Sequence, residues 1–151
     1  MSILVTVGTT NFDSLIEFLD NNFDEHEDVL FQIANGEYKP KQFEFIAFTE
    51  DIDALYKKYD FIITHAGAGT IYKLLDLRKK FIVVPNLERI DSHQTDIAQF
   101  VEENNYALNC INYEDIPLAL KKLPTVTFEK YEKEPFLKAE EICNSLREWL
   151  K

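Results

Sequence analysis

The chain has 151 residues, 46% of them hydrophobic with twelve Phe and seven Tyr, which suffices for one globular domain with its own core and excludes a disordered chain. A formal net charge of −11 argues against a nucleic-acid binder, which presents a basic face. The imbalance falls mainly on residues 1–60, with 13 acidic against 4 basic side chains, so an anionic ligand is expected on the remainder of the chain.

Apolar runs then alternate with amphipathic stretches. A strand over 2–7 leads into Gly8-Thr9-Thr10-Asn11 and a helix over 13–22. Gly8, Thr9 and Thr10 offer backbone amides and hydroxyls to a ligand, while Thr10, Asn11 and Asp13 are equally suited to capping the helix. Asp24-Glu25-His26-Glu27-Asp28 reads as a solvated loop. Strands over 29–34 and 43–48 follow. Asp51-Ile52-Asp53 opens a helix over 52–58, where acids favour the helix dipole; the same pair has the D-x-D form that can hold a divalent ion.

A strand over 60–64 runs into His65-Ala66-Gly67-Ala68-Gly69-Thr70 and a helix over 70–78. Two of the four glycines lie in this turn, and Gly8 is a third at a strand-to-helix turn. Free backbone N–H groups and the positive end of a helix dipole meet there, which suits a phosphate. The turn lacks the third glycine of G-x-G-x-x-G and the Gly-Lys-Ser/Thr of a P-loop. His65 and Thr70 exceed what a tight turn requires, although Thr70 is also placed to cap the helix.

A strand over 80–85 leads into Pro85-Asn86-Leu87-Glu88-Arg89-Ile90-Asp91-Ser92-His93-Gln94. Asp, His and Gln side chains there can hydrogen-bond several vicinal hydroxyls, as a sugar requires, and Ser92 can cap a helix over 92–104. A strand over 106–110, a helix over 114–122 and a connector at Leu123-Pro124-Thr125-Val126-Thr127 follow. A last helix over 135–150 carries Phe136, Leu137, Ile142, Leu146, Trp149 and Leu150 as an apolar stripe, packed either on the home sheet or across to a partner subunit.

Near-continuous apolar strands such as Phe81-Ile82-Val83-Val84, alternating with helices, predict an α/β fold with a Rossmann-like doubly wound parallel sheet in a single domain over 1–151. Ligands bind such sheets at strand carboxyl ends, where Gly8, His65 and Pro85-Asn86 fall. Cys110 and Cys143 lack Cys-x-x-Cys spacing, and His26, His65 and His93 lack ligand spacing, so no metal site is indicated. No G-x-S-x-G and no Cys–His pair suggests nucleophilic hydrolysis. No apolar run approaches the ~20 residues of a membrane span, and Met1-Ser2-Ile3-Leu4 lacks the basic flank of a signal peptide. A reduced cytoplasmic protein is expected, brought to any membrane by something else.

Four of these segments, Val5-Thr6-Val7-Gly8-Thr9-Thr10, His65-Ala66-Gly67-Ala68-Gly69-Thr70, Val83-Val84-Pro85-Asn86 and Asp91-Ser92-His93-Gln94, resemble in that order the C-terminal domain of glycosyltransferase family 28. The resemblance covers residues 1 to about 110. It is nearest to the stand-alone half-enzymes of that family: the catalytic subunit of the dolichol-linked UDP-N-acetylglucosamine transferase, or the short subunit of bacterial capsule and exopolysaccharide transferases, which Gln32 to Lys41 resembles more. It implies one half of a GT-B enzyme that binds a UDP-sugar without an essential metal or cofactor. It also implies a separate membrane-anchored subunit that binds a lipid-linked saccharide acceptor, holding this chain at the cytoplasmic face.

By matching motifs, His65, Ala66, Gly67, Ala68, Gly69 and Thr70 would hold the diphosphate, with Gly8, Thr9 and Thr10 close by. Asn86, Asp91, His93 and Gln94 would face the sugar. The implied function is transfer of a hexose or N-acetylhexosamine with inversion, in surface polysaccharide assembly, with His65 stabilising the leaving group and the general base on the partner. A non-catalytic partner that stabilises a related transferase is the alternative; an epimerase of the same fold would need both halves in one chain. Relatives in the wider superfamily often carry a Glu three residues after the Ser/Thr of this loop, binding ribose. This chain has Lys73, which cannot accept hydrogen bonds from a diol, so the ribose is held otherwise or less firmly.

Overall fold

The computed structural model describes residues 1–89 and 93–133. Among them are six parallel strands: β1 (Ser2–Thr6), β2 (Asp28–Gln32), β3 (Glu44–Ile46), β4 (Phe61–His65), β5 (Lys80–Val84) and β6 (Leu108–Asn109). They form one sheet in the order β3-β2-β1-β4-β5-β6. The order reverses between β1 and β4, so the loops leaving those two strands part and open a crevice at the carboxyl edge.

Five α-helices among the described residues cover the two faces: α1 (Asp13–Asn22), α2 (Ile52–Lys58), α3 (Ala68–Asp76), α4 (His93–Glu103) and α5 (Ile116–Lys122). Alternate strand residues face opposite sides, which splits the core in two. Ile3, Val5, Phe31 and Ile63 pack with Leu15 and Leu19 of α1 and Leu120 of α5. Leu4, Ile62 and Phe81 pack with Tyr56 of α2, Ile71 and Leu74 of α3, and Val101 of α4. Burial on both faces explains why the central strands read as unbroken apolar runs.

The expected doubly wound parallel sheet is therefore present, with three local differences. The strand expected over 43–48 shortens to Glu44–Ile46, while its link from β2, as expected, contains no helix. Residues 33–43 form an irregular loop pinned by two acids two turns apart on α1. The Asp13 carboxylate accepts from the Glu37 and Tyr38 amides at 3.1 and 3.3 Å. Fully buried Asp20 accepts from the Tyr38 hydroxyl at 2.7 Å and from the Lys41 and Gln42 amides at 2.9 and 3.1 Å. Asn35-Gly36 and Pro40 would break a helix here, and the carboxylates satisfy the amides that a helix would have paired.

The last strand shrinks to two residues, and the helix expected from 114 begins as a 3-10 turn, Tyr113–Asp115, before α5. The third difference bears on the site: α3 starts at Ala68, two residues before the expected 70. Gly67 occupies its N-cap, so Thr70 is a residue of the first turn rather than the cap. Likewise Thr10 and Asn11 do not cap α1, whose N-cap is Phe12, and Asp13 is spent on the loop amides. The connector from Leu123 continues without helix or strand to residue 133; the proposed helix over 135–150 lies outside the described residues, as does Ser92. No helix among the described residues is long and apolar enough to cross a membrane.

Candidate functional site

Strand register places Thr6 level with Gln32 on one side and Thr64 on the other. Three central strands thus change from apolar to polar at the same height, and all three side chains are buried. Buried polar groups must be paired. Gln32 does most of this pairing: its Oε1 accepts from the Thr6 hydroxyl at 2.6 Å and the Gly8 amide at 3.1 Å. Its Nε2 donates to the Gly8 carbonyl at 2.9 Å and the Ala47 carbonyl at 2.7 Å. One side-chain amide therefore holds both the N–H and the C=O of Gly8 and ties the loop after β1 to the loop after β3.

Gly8 has φ +66°, a conformation that side-chain-bearing residues rarely adopt. It also has no room for a side chain. A Cβ there would lie 2.7 Å from Cε1 of His65, and a Cβ on Gly67 would collide with His65 Nε2. The two turn glycines are set against the imidazole that closes β4. The ring is nearly enclosed, and the Thr64 hydroxyl lies 3.4 Å from its Nδ1. Burial holds its pKa below the ordinary 6.5; the adjacent Thr6 backbone opposes this, and the positive charge of Arg89 adds to it. His65 is neutral at pH 7, able to donate one hydrogen bond.

Beyond the ring, α3 begins with no side chain capping its N-terminus. The amides of its first turn keep their donor capacity, and the space above Gly69 is open. Ala66, just before that turn, donates to Gln94 Oε1 at 3.3 Å, and Asn86 donates to the same oxygen at 2.9 Å. Gln94, in the first turn of α4, is thus a strut between the loops after β4 and β5. Asn86 is buried, and its Oδ1 accepts from the Glu88 amide at 3.1 Å. His93 is exposed at the start of α4, and Asp91 lies outside the described residues.

A hollow of about 220 Å³ adjoins these loops, lined by Gly8, Thr9, Phe48, Thr49, Tyr56 and Thr70 among others. Thr10 is not part of its lining. Gln32, Phe48 and Tyr56, together with Arg89, whose charge acts on His65, were not singled out from the sequence. The polar residue ending each apolar strand (Thr6, Gln32, Thr64) was a signal that could have found Gln32; nothing in the sequence pointed to Phe48 or Tyr56. A larger hollow, about 330 Å³, lies at the opposite edge, bounded by Leu75, Lys79, Lys80, Tyr106 and Phe128. Lys79 and Lys80 are tied to the Tyr59 and Pro124 carbonyls, a third lysine of the lining, Lys130, lies 3.7 Å from the Glu132 carboxylate, and no helix N-terminus or strand carboxyl end points there, so size alone does not make it the site.

The D-x-D acids take structural partners. Asp51 is the N-cap of α2 and accepts from the Ala54 amide at 3.0 Å. Asp53 reaches across to α3, where Lys73 Nζ is 2.7 Å from its Oδ2.

Comparison with known proteins matches residues 2–148 to the glycosyltransferase family 28 C-terminal domain. The human UDP-N-acetylglucosamine transferase subunit ALG13 is 31% identical over 122 residues, covering 72% of this chain and 11% of its own length. The Saccharomyces cerevisiae subunit of the same name is 36% identical over 78 residues, covering 52% of this chain and 38% of its own. The chain thus spans well under half the length of these curated relatives. Among solved structures, Acinetobacter baumannii MurG superposes with a TM-score of 0.65 at 23% identity, over 82% of this chain and 41% of that one. ALG13 solved by NMR superposes at 0.59 with 17% identity, over 93% and 94%. At these identities the structures establish the shared Rossmann-like fold.

Proposed function

The chain belongs to the glycosyltransferase family 28 C-terminal domain family, and on that premise we propose that it is the donor-binding, catalytic subunit of an inverting UDP-sugar transferase. The observation that carries this is the uncapped N-terminus of α3, with open space at Gly69, beside a neutral buried His65. Departure of the nucleotide leaves negative charge on the diphosphate. First-turn amides of α3, the His65 N–H and the nearby charge of Arg89 would meet it, in fixed positions that need no reorganisation. Such a site requires no metal. Thr9, Thr70 and the 220 Å³ hollow would receive the nucleoside. Asn86 and His93, with Asp91, would face the sugar, while Gln94 keeps their loop in register with the diphosphate loop.

The donor would be a UDP-hexose or UDP-N-acetylhexosamine, in keeping with the name of the human relative. The acceptor would be a lipid-linked saccharide, in polysaccharide or oligosaccharide assembly. It would be held by a second, membrane-anchored polypeptide that also supplies the general base.

Two measurements test the assignment. UDP added to ¹⁵N-labelled protein should shift the amide resonances of Gly8 and Gly67 to Thr70. His65→Ala should lower transfer from the UDP-sugar, assayed with the partner, by about 100-fold or more while leaving the melting temperature within a few degrees of the parent. Undiminished turnover by that variant removes the site assignment. Absence of any UDP binding, even with the partner present, favours a stabilising, non-catalytic subunit instead.

A further inference from the structure

The larger hollow, at the amino edge of the sheet, is walled by the chain's own passage from one face to the other. α5 and Phe128 pack on the cluster that holds α1, whereas Tyr131 packs on the cluster of α2, α3 and α4. The connector between them therefore crosses the edge beside the start of β5. It is pinned there. Lys80 Nζ donates to the Pro124 carbonyl at 2.7 Å, the Glu129 amide to the Asn105 carbonyl at 2.9 Å, and Asn105 Nδ2 to the Thr127 carbonyl at 3.4 Å. The space left between connector and edge is about 330 Å³, within the size range of small-ligand sites.

Its lining combines two chemistries. Leu75, Phe128 and the edge-to-face pair Tyr106 and Tyr131, ring centres 5.6 Å apart, make an apolar and aromatic wall. The charged part of the lining is Arg78, Lys79, Lys80 and Lys130 with one acid, Glu129, in a chain whose net charge is −11. The carbonyls that hold Lys79 and Lys80 position these ammonium groups without neutralising them. Each uses one N–H, Lys79 on the Tyr59 carbonyl at 2.6 Å, and keeps two. Burial lowers the Lys79 pKa, with Asp60 opposing; the Asp60 carboxylate itself accepts from the Ser2 amide and hydroxyl, both at 2.9 Å.

Arg78 points to a ligand most directly. It closes α3 at φ +53°, where its amide donates to the Leu75 carbonyl and the Lys79 amide to the Leu74 carbonyl, both at 3.0 Å. Glycine adopts that conformation freely, and a residue with a Cβ is strained in it. Asn105, equally left-handed at the end of α4, is accounted for by its bonds to the connector. The Arg78 guanidinium makes no hydrogen bond or ion pair among the described residues, so no contact there explains an arginine at this position.

We propose that this hollow is a second anion site, separate from the donor site, which takes the phosphate group of a molecule with an apolar or aromatic body. Arg78 meets the phosphate with its planar fork, Lys79 and Lys80 add fixed N–H groups, and the body lies against Tyr106 and Phe128. The site does not rest on the UDP-sugar assignment. A soluble organic phosphate and a phospholipid headgroup present the same chemistry.

The test is an NMR titration of the full-length ¹⁵N-labelled chain with phenyl phosphate and with inorganic phosphate, on the parent, Arg78→Gly and Phe128→Ala. Phenyl phosphate should shift the amides of Arg78 to Lys80 and Phe128 to Tyr131; shifts at Gly8 and Gly67 to Thr70 report the donor site and are followed separately. It should bind the parent roughly fivefold or more tighter than inorganic phosphate. Arg78→Gly suits φ +53° and should melt within a few degrees of the parent, yet weaken phenyl phosphate by about tenfold or more. Phe128→Ala should weaken phenyl phosphate about fivefold and leave inorganic phosphate within about twofold. Phosphatidylcholine vesicles with and without phosphatidic acid separate the two sources. Sedimentation of the parent but not of Arg78→Gly with the acidic vesicles assigns the lipid headgroup, and phenyl phosphate binding without sedimentation assigns the soluble phosphate. Unchanged affinity in Arg78→Gly, or neither shifts at the hollow nor sedimentation, overturns the site and leaves the donor assignment standing. Equal affinity for the two phosphates overturns the apolar body.

Discussion

Two of the four glycines sit where they do because of one imidazole. Gly8 and Gly67 stand against His65 at distances no Cβ would tolerate, and the ring in turn is held below its ordinary pKa by burial. The consequence for stability has a definite sign. In the unfolded chain His65 takes up its proton near the ordinary 6.5, whereas in the folded protein it resists until a lower pH. The unfolded state therefore binds more protons as the pH falls below about 6.5. The stability contributed by the neutral ring is present above that value and is lost as the pH drops through it toward the folded pKa. An NMR titration of the His65 imidazole should give a midpoint below 6.5; a midpoint above it would mean that a partner to the charged ring outweighs burial. Gly36 is confined in the same way by the Asp13 carboxylate, which a Cβ there would strike. At the ends of α3 and α4, where glycine is the usual terminator, Arg78 and Asn105 adopt the left-handed conformation instead, at φ +53° and +54°.

At the scale of elements, α1 has a task beyond covering one face of the sheet. Asp13 and Asp20 replace the missing helix between β2 and β3 with a set of hydrogen bonds, which holds the strand that carries Ala47 and Phe48 to the site. Asp20 accepts three hydrogen bonds while fully buried, and its carboxylate raises the Tyr38 phenol pKa to about 12, first through the hydrogen bond and then with help from burial. Asp20→Ala leaves those donors without their acceptor and should cost about 3 kcal/mol, read by urea denaturation. In the milder Asp20→Asn, the Tyr38 midpoint should move down from about 12 toward 10, read by ultraviolet titration. An unchanged Tyr38 midpoint would show that Asp20 does not control it.

Across the whole molecule, the sheet separates two edges of different character. The carboxyl edge gathers uncapped amides, a neutral histidine and hydroxyls around a modest hollow. The opposite edge has the larger hollow but ties Lys79 and Lys80 to carbonyls. On the proposed division between a donor-binding and an acceptor-binding polypeptide, donor binding and transfer should separate. The isolated chain should bind UDP yet show no measurable transfer of radiolabelled sugar, and co-expression with the acceptor-binding polypeptide should restore it. Transfer by the isolated chain at the rate of the complex would contradict this division.

The strand and helix pattern was legible without coordinates because it rests on local physics. Strands buried on both faces must be continuously apolar, and helices must show their stripes; α1 and α2 begin and end where those stripes do. The glycine-flanked turn at His65 was legible because a strand running into small residues and then a helix leaves few alternatives. Tertiary structure decided what depends on residues distant in sequence. It brought Gln32 onto the Gly8 peptide across β1 and β2, and Gln94 onto two loop amides. It also set Asp53 against Lys73, twenty positions on, and allowed α3 to start two residues early because Gly67 needs no side-chain cap. Periodicity reports which face of an element is buried. Register and packing alone report which polar atoms meet there, because a hydrogen bond between separate strands or helices leaves no repeat in the sequence.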